Sequence, residues 1–251
     1  MSTKSKKTLQ TLQAYREVDV YYFRSQDAVS EYSIQLLESY NQLRTDYVLQ
    51  KDWPMHESGI DMDVYDRFVK NYYVIADHKN IAVAGLRATP VLSIEQSLSY
   101  TMWQNAIEYK SFRQQMNDYR KTQTDEKYHM WDITRLITRT SVEHVDDPYL
   151  RTASRIGMFK VFAATVSVTD SSTKPSIWYF TLTKEMYIFM HKINVEPFVI
   201  AKGKISHSDA AESYLCSLVP SQILSTLRGK NKTIYAIAKR QLKQKSAVKT
   251  P

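Results

Sequence analysis

Hydrophobic and polar positions recur along the chain with two periods, one of about two residues and one of three to four, which are typical of strands and amphipathic helices. Alternation from Val18 to Arg24 predicts a first strand. A long helical period follows and ends near Leu49, and Ser25 or Asp27 is placed to cap the start of this helix. The first predicted unit is therefore a strand followed by a long helix.

The central part of the chain predicts a hairpin, a helical segment and another strand. Apolar runs at 71–76 and 81–89 flank a polar tetrapeptide, which is the spacing of a β-hairpin. A helical period extends from Leu92 to about Tyr119, and alternation returns at 129–139. The later elements are a helix from Pro148 to about Val166, a strand at Ile177–Leu182, a helix at Lys184–Ile193 and an extended segment at Glu196–Ile205.

This alternation of strands and helices predicts an α/β domain over residues 18–206. A basic N-terminal tail at 1–17 precedes it. The residues after Asp209 have helical periods, at 210–218 and 222–227 among others, so we expect 207–251 to form a helical, basic C-terminal extension.

Composition excludes several classes of protein. Hydrophobic residues make up 43% of the 251 residues, which is far from a disordered composition. Cys216 is the only cysteine, which excludes intrachain disulfides and cysteine-based metal sites, and the scattered histidines predict no metal site either. No apolar run reaches the roughly 20 residues of a spanning helix, and the polar, basic N-terminus lacks a signal-peptide core. We therefore expect a cytoplasmic protein without a membrane span.

The net charge of +8 favours an acidic partner. Nucleic acid, an anionic membrane surface and an acidic carrier protein all fit that charge. Much of the excess lies in the two tails, where it serves either solubility or docking. Charge alone does not choose among these partners.

Four short fragments in fixed order carry the most information about function. They are Leu43-Arg44 followed by Trp53, Asp63-Val64-Tyr65-Asp66, Gly85-Leu86-Arg87-Ala88-Thr89-Pro90 and Trp131-Asp132-Ile133-Thr134-Arg135. Together they resemble the signature of the acyl-homoserine lactone synthases over roughly residues 18–206. The resemblance implies a GNAT-type fold, a three-layer α-β-α sandwich around a mixed, splayed central sheet.

Two of the fragments' acids and two of their arginines supply two charges of each sign. These residues are Arg44, Asp63, Asp66 and Arg87. They close into a buried network only if every member is paired; the alternative is a set of separate surface ion pairs. The resemblance assigns them to the binding of S-adenosylmethionine, a substrate rather than a cofactor. The acids would lie near its positive groups, the arginines near carboxylates, and Trp53 would give a cation–π contact.

The resemblance also implies a reaction in which the substrate amine attacks an acyl thioester. Asp132 stands where the family carries Glu, and a carboxylate held on a strand is a candidate base for that amine. Thr134 or the neighbouring backbone is a candidate donor to the oxyanion. Strict alternation turns Arg135 to the opposite face, towards the wall of the site or the carrier, unless a bulge re-aims it. Lactone closure would then release methylthioadenosine.

An apolar slot must hold the acyl chain. Its candidates are Met130, Met158, Phe162, Trp178, Phe180, Thr181 and Met186, although such a set is also typical of an ordinary core. Thr181 is near the position where the family senses a substituent on the third acyl carbon.

The acyl donor implied by the resemblance is acyl carrier protein. The segment from Arg151 to Gly157 lacks the closely spaced glycines that wrap the pyrophosphate of coenzyme A, which favours the carrier protein. Arg151, Arg155 and Lys160 are candidates for docking its acidic surface, unless they form a solvated helix face.

Two other functions remain open from the sequence. An N-acyl amino acid synthase would share the fold and the carrier donor but form no lactone. A basic nucleic-acid-binding protein fits the charge and the 18 tyrosines, although no recognition signature for it is present.

Overall fold

A computed structural model gives the structure of the chain. It describes residues 13–24, 30–51, 66, 71–104, 108–122, 127–142, 147–169, 173–205, 212–230, 232, 235–236 and 239. The chain divides into two compact units. The first contains residues 1–87, 135–167 and 237–251, and the second contains 88–134 and 168–236.

Strands and helices alternate along most of the described chain. In order they are β1 (Asp19–Arg24), α1 (Glu31–Gln50), β2 (Tyr72–His78), β3 (Ile81–Val91), α2 (Leu98–Gln104), α3 (Tyr109–Thr122), β4 (His129–Thr138), α4 (Pro148–Thr169), β5 (Ser176–Thr183), α5 (Lys184–Lys192), β6 (Phe198–Lys204), β7 (Glu212–Leu218) and α6 (Pro220–Lys230). Among these helices, none combines the length and the apolar character needed to cross a bilayer.

The described strands form a mixed sheet in the order β1-β2-β3-β4-β5-β7-β6. The division between the two units falls within the residue ranges of β3 and β4. In the first unit β1 is antiparallel to β2; in the second β5 is parallel to β4 and β7 is antiparallel to both β5 and β6. The predicted α/β class with a mixed sheet is confirmed.

Helix α1 begins at Glu31, later than its sequence pattern predicts. Its N-cap is Ser30, whose Oγ accepts a hydrogen bond of 3.1 Å from the backbone N–H of Ser33. The predicted caps, Ser25 and Asp27, lie outside the described residues.

The predicted hairpin is present as β2 and β3. Its turn is Lys79-Asn80, with φ of 55° and 65°. Two consecutive positive φ angles are typical of the two-residue turn that matches the twist of antiparallel strands. The polar tetrapeptide was therefore a reliable signal.

The helix predicted from Leu92 to Tyr119 is wrong as a single element. A 3₁₀ turn (Ile94–Gln96) precedes α2, and α3 begins at Tyr109. Ser97 has an extended backbone, and its Oγ accepts a 3.0 Å hydrogen bond from the N–H of Tyr100. Serine competes with the helix by such local bonds, so it ends one turn and starts the next.

The predicted helical extension is also wrong in part. Residues 212–218 form strand β7, which lies between β5 and β6 in the sheet, although 220–230 are helical as expected. The domain boundary predicted at 206 therefore lies between two strands of the sheet, β6 and β7. Residues 213–218 are all buried, and a strand covered on both faces loses the alternation that distinguishes it from a helix.

Candidate active site

The first unit contains a buried cluster of charges centred on Asp66. Arg44 donates to both of its carboxylate oxygens, Nη1 to Oδ1 at 3.2 Å and Nη2 to Oδ2 at 2.9 Å. Arg87 Nη1 donates to the same Oδ1 at 2.8 Å. The structure thus brings together three of the four charges that the sequence predicted to converge. Asp63 and Trp53 lie outside the described residues.

Each member of the cluster comes from a different part of the fold. Arg44 lies on α1 and Arg87 on β3, and both side chains are 0% exposed. Tyr73 on β2 adds a hydroxyl that donates to Asp66 Oδ1 at 2.6 Å. The Arg44 fork is the bidentate geometry that makes guanidinium–carboxylate pairs strong. The Asp66 carboxylate therefore accepts bonds from at least three side chains.

The electrostatics of this cluster keep Asp66 ionised. Burial alone would raise its pKa, but the hydrogen bond from Arg44 and the charges of Arg44 and Arg87 hold the pKa well below its usual range. Burial, together with the negative charge of Asp66, raises the pKa of Tyr73. Tyr73 consequently remains a protonated donor.

This geometry changes the role expected for Asp66. Its oxygens are occupied by two guanidinium groups and a phenol, so it organises the arginines instead of facing the positive groups of a substrate. Two cations and one anion leave the three described residues with a net positive charge. Such a cluster favours an anionic ligand group, for example a carboxylate.

Strand β4 departs from regular strand geometry at one residue. Asp132 and the next residue, Ile133, are both buried, as neighbouring residues of a strand covered on both faces can be. Arg135 has a φ of 58°, in the left-handed region that non-glycine residues rarely occupy. The opposite-face orientation predicted for Arg135 therefore rests on a regularity that the strand lacks, and Thr134 lies just before this irregularity.

Asp132 accepts two hydrogen bonds from the start of α2, while its role as a base stays a prediction. Its Oδ2 accepts from the backbone N–H of Leu98 at 2.8 Å, and its Oδ1 accepts from Ser99 Oγ at 2.5 Å. Both partners lie at the start of α2, where unsatisfied N–H groups and the helix dipole favour a carboxylate. The side chain is buried. We infer that Asp132 anchors α2.

The two roles predict opposite results for Asp132→Asn. As a cap, Asn still accepts hydrogen bonds, so we expect most of the wild-type rate of acyl transfer to remain, whereas loss of a general base costs about a hundredfold or more. Asp132→Ala should lower the free energy of unfolding by about 1–2 kcal/mol, measured by urea denaturation.

Asp147 is the matched control, because its Oδ1 accepts from Tyr149 N–H at 2.8 Å at the start of α4. Asp147→Asn should behave like Asp132→Asn. A hundredfold loss confined to Asp132→Asn would restore the base assignment.

The predicted acyl-pocket residues occupy both faces of β5. Trp178 and Phe180 share one face by strand alternation, and the indole N–H of Trp178 donates to Thr169 Oγ1 at 2.9 Å. Thr181 lies on the other face, where its hydroxyl accepts from Trp103 Nε1 at 3.2 Å. A single slot beside Thr181 therefore does not include Trp178 and Phe180, which corrects the prediction.

A large apolar cluster of the second unit covers the Thr181 face of the sheet. It contains Ile94, Trp103, Phe112, Met116, Tyr119, Ile177, Tyr179, Ile200, Ala201, Ile205 and Leu215, with Met130 packed against it. Met130 is the predicted pocket residue that belongs to this cluster. Met186 lies on α5, and Met158 and Phe162 lie on α4 in the first unit.

Sequence reasoning missed Trp103, which is almost fully buried and stacks on Phe112 with ring centroids 5.5 Å apart. A single helix from 92 to 119 was expected, whereas α2 is a separate helix that begins at Leu98. Once α2 is recognised as a separate helix, a tryptophan on it becomes a candidate core residue.

The predicted carrier-docking residues also separate. Arg151 and Arg155 are exposed one turn apart on α4. Lys160 is buried, and its Nζ donates to the backbone oxygens of Tyr15 at 2.7 Å and Val18 at 2.6 Å. Burial lowers the pKa of Lys160 to about 8. Lys160 therefore holds the chain before β1, and its predicted docking role does not fit this placement.

The segment compared with a pyrophosphate loop is a regular part of α4. A Cβ at Gly157 would lie 3.0 Å from Ala76 Cβ and 3.1 Å from Val83 Cγ2, so this glycine lets α4 approach β2 and β3 closely. Within the described residues, no group of three or more His, Cys, Asp or Glu side chains is placed to hold a metal ion.

The sequence matches no protein-family model and no curated protein. Its fold is similar to that of BjaI, a CoA-dependent acyl-homoserine lactone synthase solved with SAM and isopentyl-CoA, at 12% identity and a TM-score of 0.56 over 93% of each chain. LasI, an AHL synthase, is 11% identical with a TM-score of 0.56 over 86% of this chain and 95% of LasI. TofI, solved with an inhibitor and MTA, is 16% identical with a TM-score of 0.53 over 84% of this chain and 96% of TofI. The chain therefore has the fold of acyl-homoserine lactone synthases, as the motif resemblance implied.

Proposed function

We propose that the chain is an acyl-homoserine lactone synthase. It transfers an acyl group from acyl carrier protein to the amine of S-adenosylmethionine, closes the lactone and releases methylthioadenosine, and so makes a quorum-sensing signal in the cytoplasm. The observation that carries this proposal is the buried cluster of Arg44, Asp66 and Arg87, which occupies the family's motif positions on the family's fold.

The cluster suits the carboxylate of S-adenosylmethionine. Asp66 holds the two guanidinium groups in place, and guanidinium groups bind carboxylates strongly. Holding a substrate in one orientation serves both steps of the reaction. Trp53 and Asp63, by their sequence positions, are assigned to the sulfonium and amino groups.

The chemistry requires two displacements. The amine nitrogen attacks the thioester carbon, and the thiolate leaves; the carboxylate oxygen then attacks the carbon bonded to sulfur, and methylthioadenosine leaves. Because Asp132 caps α2, we assign removal of the amine proton to water. Thr134 and the backbone near Arg135 remain the proposed donors to the oxyanion.

The choice of acyl carrier protein as the acyl donor rests on features of α4. The tight packing of Gly157 against β2 and β3 and the absence of clustered glycines in α4 argue against a pyrophosphate-wrapping loop there. Exposed Arg151 and Arg155 suit an acidic carrier surface. BjaI, however, is CoA-dependent, so both donors must be compared.

The test is to incubate the purified chain with S-adenosylmethionine and either acyl carrier protein or coenzyme A loaded with acyl groups of several lengths. Mass spectrometry then follows methylthioadenosine and the acylated products. Lactone from the carrier supports the whole proposal. Lactone from coenzyme A alone overturns the donor but keeps the synthase, whereas acyl amino acid without methylthioadenosine, or no acyl product, overturns the synthase.

A further inference from the structure

A buried tyrosine contacts the irregular point of β4. Tyr40 lies on α1 with its side chain fully buried, and its hydroxyl donates to the backbone oxygen of Arg135 at 2.6 Å. Arg135 is the residue of β4 with a φ of 58°. The left-handed conformation is unfavourable for a residue with a Cβ, so it needs support from its surroundings.

The ring of Tyr40 is fixed from two sides. On β3, a Cβ added to Gly85 would lie 2.6 Å from two carbon atoms of the Tyr40 ring. The ring therefore occupies the space that a side chain at position 85 would need. The Arg44 guanidinium lies 5.7 Å from its centroid, and the Tyr73 ring meets it edge-on at 6.1 Å. Both neighbours bind Asp66. Tyr40 therefore lies between the charge cluster and the backbone of Arg135.

The phenol is a permanent donor in this position. Burial raises the pKa of Tyr40 well above its ordinary value, although the charges of Arg44 and Arg87 oppose that shift. The hydroxyl of Tyr40 therefore stays protonated near neutral pH and keeps donating to the Arg135 oxygen. Testing this hydrogen bond therefore requires a substitution of Tyr40.

We propose that Tyr40 is a positioning residue, whose hydroxyl holds the backbone of Arg135 in the left-handed conformation and so sets the direction of the Arg135 side chain. In a regular strand that side chain would lie on the face dictated by alternation, and a positive φ re-aims it. The expected effect on acyl transfer rests on the proposed function, whereas the expected effect on the φ of Arg135 is independent of it.

Tyr40→Phe removes the hydroxyl and keeps the ring, and with it the contacts to Arg44 and Tyr73. We expect kcat/KM for acyl transfer to fall about tenfold, the usual effect of losing one buried hydrogen bond at a sensitive site. Tyr149→Phe is the control, since it removes a hydroxyl that donates to Glu17 at 2.6 Å, and it should leave kcat/KM unchanged.

A double-mutant cycle distinguishes positioning from a separate role of Tyr40. If the hydroxyl acts through Arg135, the combined variant Tyr40→Phe/Arg135→Ala is as active as Arg135→Ala alone. A further tenfold loss in the combined variant, or full activity of Tyr40→Phe, overturns the inference.

Crystal structures of the wild type and of Tyr40→Phe test the backbone directly. We expect the φ of Arg135 to leave the left-handed region in the variant, and an unchanged positive φ would overturn the inference. Failure of the proposed function is separate, because it shows as a wild type that makes no acylated product with any donor.

Discussion

Arg87→Ala is expected to lower kcat/KM for acyl transfer about a hundredfold and to leave a folded protein. The substitution removes one of the two buried guanidinium groups that bind Asp66 and that we propose to orient the substrate carboxylate. Asp66 keeps its bidentate bond to Arg44 and the hydroxyl of Tyr73, so its carboxylate is not left unpaired. The decrease in kcat/KM is measured by steady-state kinetics, in which the concentrations of S-adenosylmethionine and of the acyl donor are varied in turn.

Arg87→Lys refines this result, because lysine keeps the charge but lacks the planar fork of the guanidinium. We expect it to recover only part of the lost activity. The control is Arg113→Ala, which removes an exposed arginine from α3 and should leave the kinetics unchanged. Full turnover by Arg87→Ala, with a circular dichroism spectrum like that of the wild type, would contradict the placement of the site.

The sequence predicted the charge cluster for a physical reason that the structure supports. Arg44 and Arg87 are fully buried on α1 and β3, and buried guanidinium groups require a carboxylate. The family resemblance named two acids, Asp63 and Asp66, and of these Asp66 is described and binds both arginines. Tyr73 was not predicted, because the alternation of a strand does not indicate which tyrosine hydroxyl donates to a buried carboxylate.

Long-range contacts explain what the sequence did not reveal about Asp132 and Lys160. Asp132 binds the start of α2 from a distant strand, and Lys160 binds backbone oxygens before β1. Both are polar residues that local patterns assign to an active site or to a solvated helix face. Only the tertiary fold shows that their charges satisfy the polar backbone of other segments.

Strand β7 and the backbone of Arg135 also depend on tertiary contacts that local sequence patterns do not reveal. A strand buried on both faces carries no alternation, and residues 212–218 include no glycine or proline that would have argued against a helix. The backbone of Arg135 depends on a hydroxyl 95 positions away, on Tyr40. Local propensity therefore identified most of the elements but missed places such as these, where tertiary contacts override it.

Asp66→Ala is expected to lower the free energy of unfolding by about 3–5 kcal/mol, because it removes the carboxylate that pairs with two buried guanidinium groups. Tyr73 also loses the acceptor of its hydroxyl. This cost should exceed that of Arg87→Ala, which leaves the carboxylate paired. Urea denaturation followed by tryptophan fluorescence measures the difference.

The pH dependence of this effect follows from the depressed pKa of Asp66. A carboxylate whose pKa is lower in the folded state contributes its full stability above its unfolded pKa, about 4, and loses it as the pH falls towards the folded value. The gap between wild type and Asp66→Ala should therefore be constant near neutrality and narrow in acid below about pH 4.

Asp118→Ala is the matched control, since Asp118 forms an exposed pair with Lys121 at 2.8 Å and should change stability by less than about 0.5 kcal/mol. The combined variant Arg44→Met/Asp66→Ala/Arg87→Met should regain part of the lost stability, because it removes the unpaired cations, yet remain inactive. An Asp66→Ala protein as stable as the control would show that the cluster is not buried, and the carboxylate site built on it would then lose its physical basis.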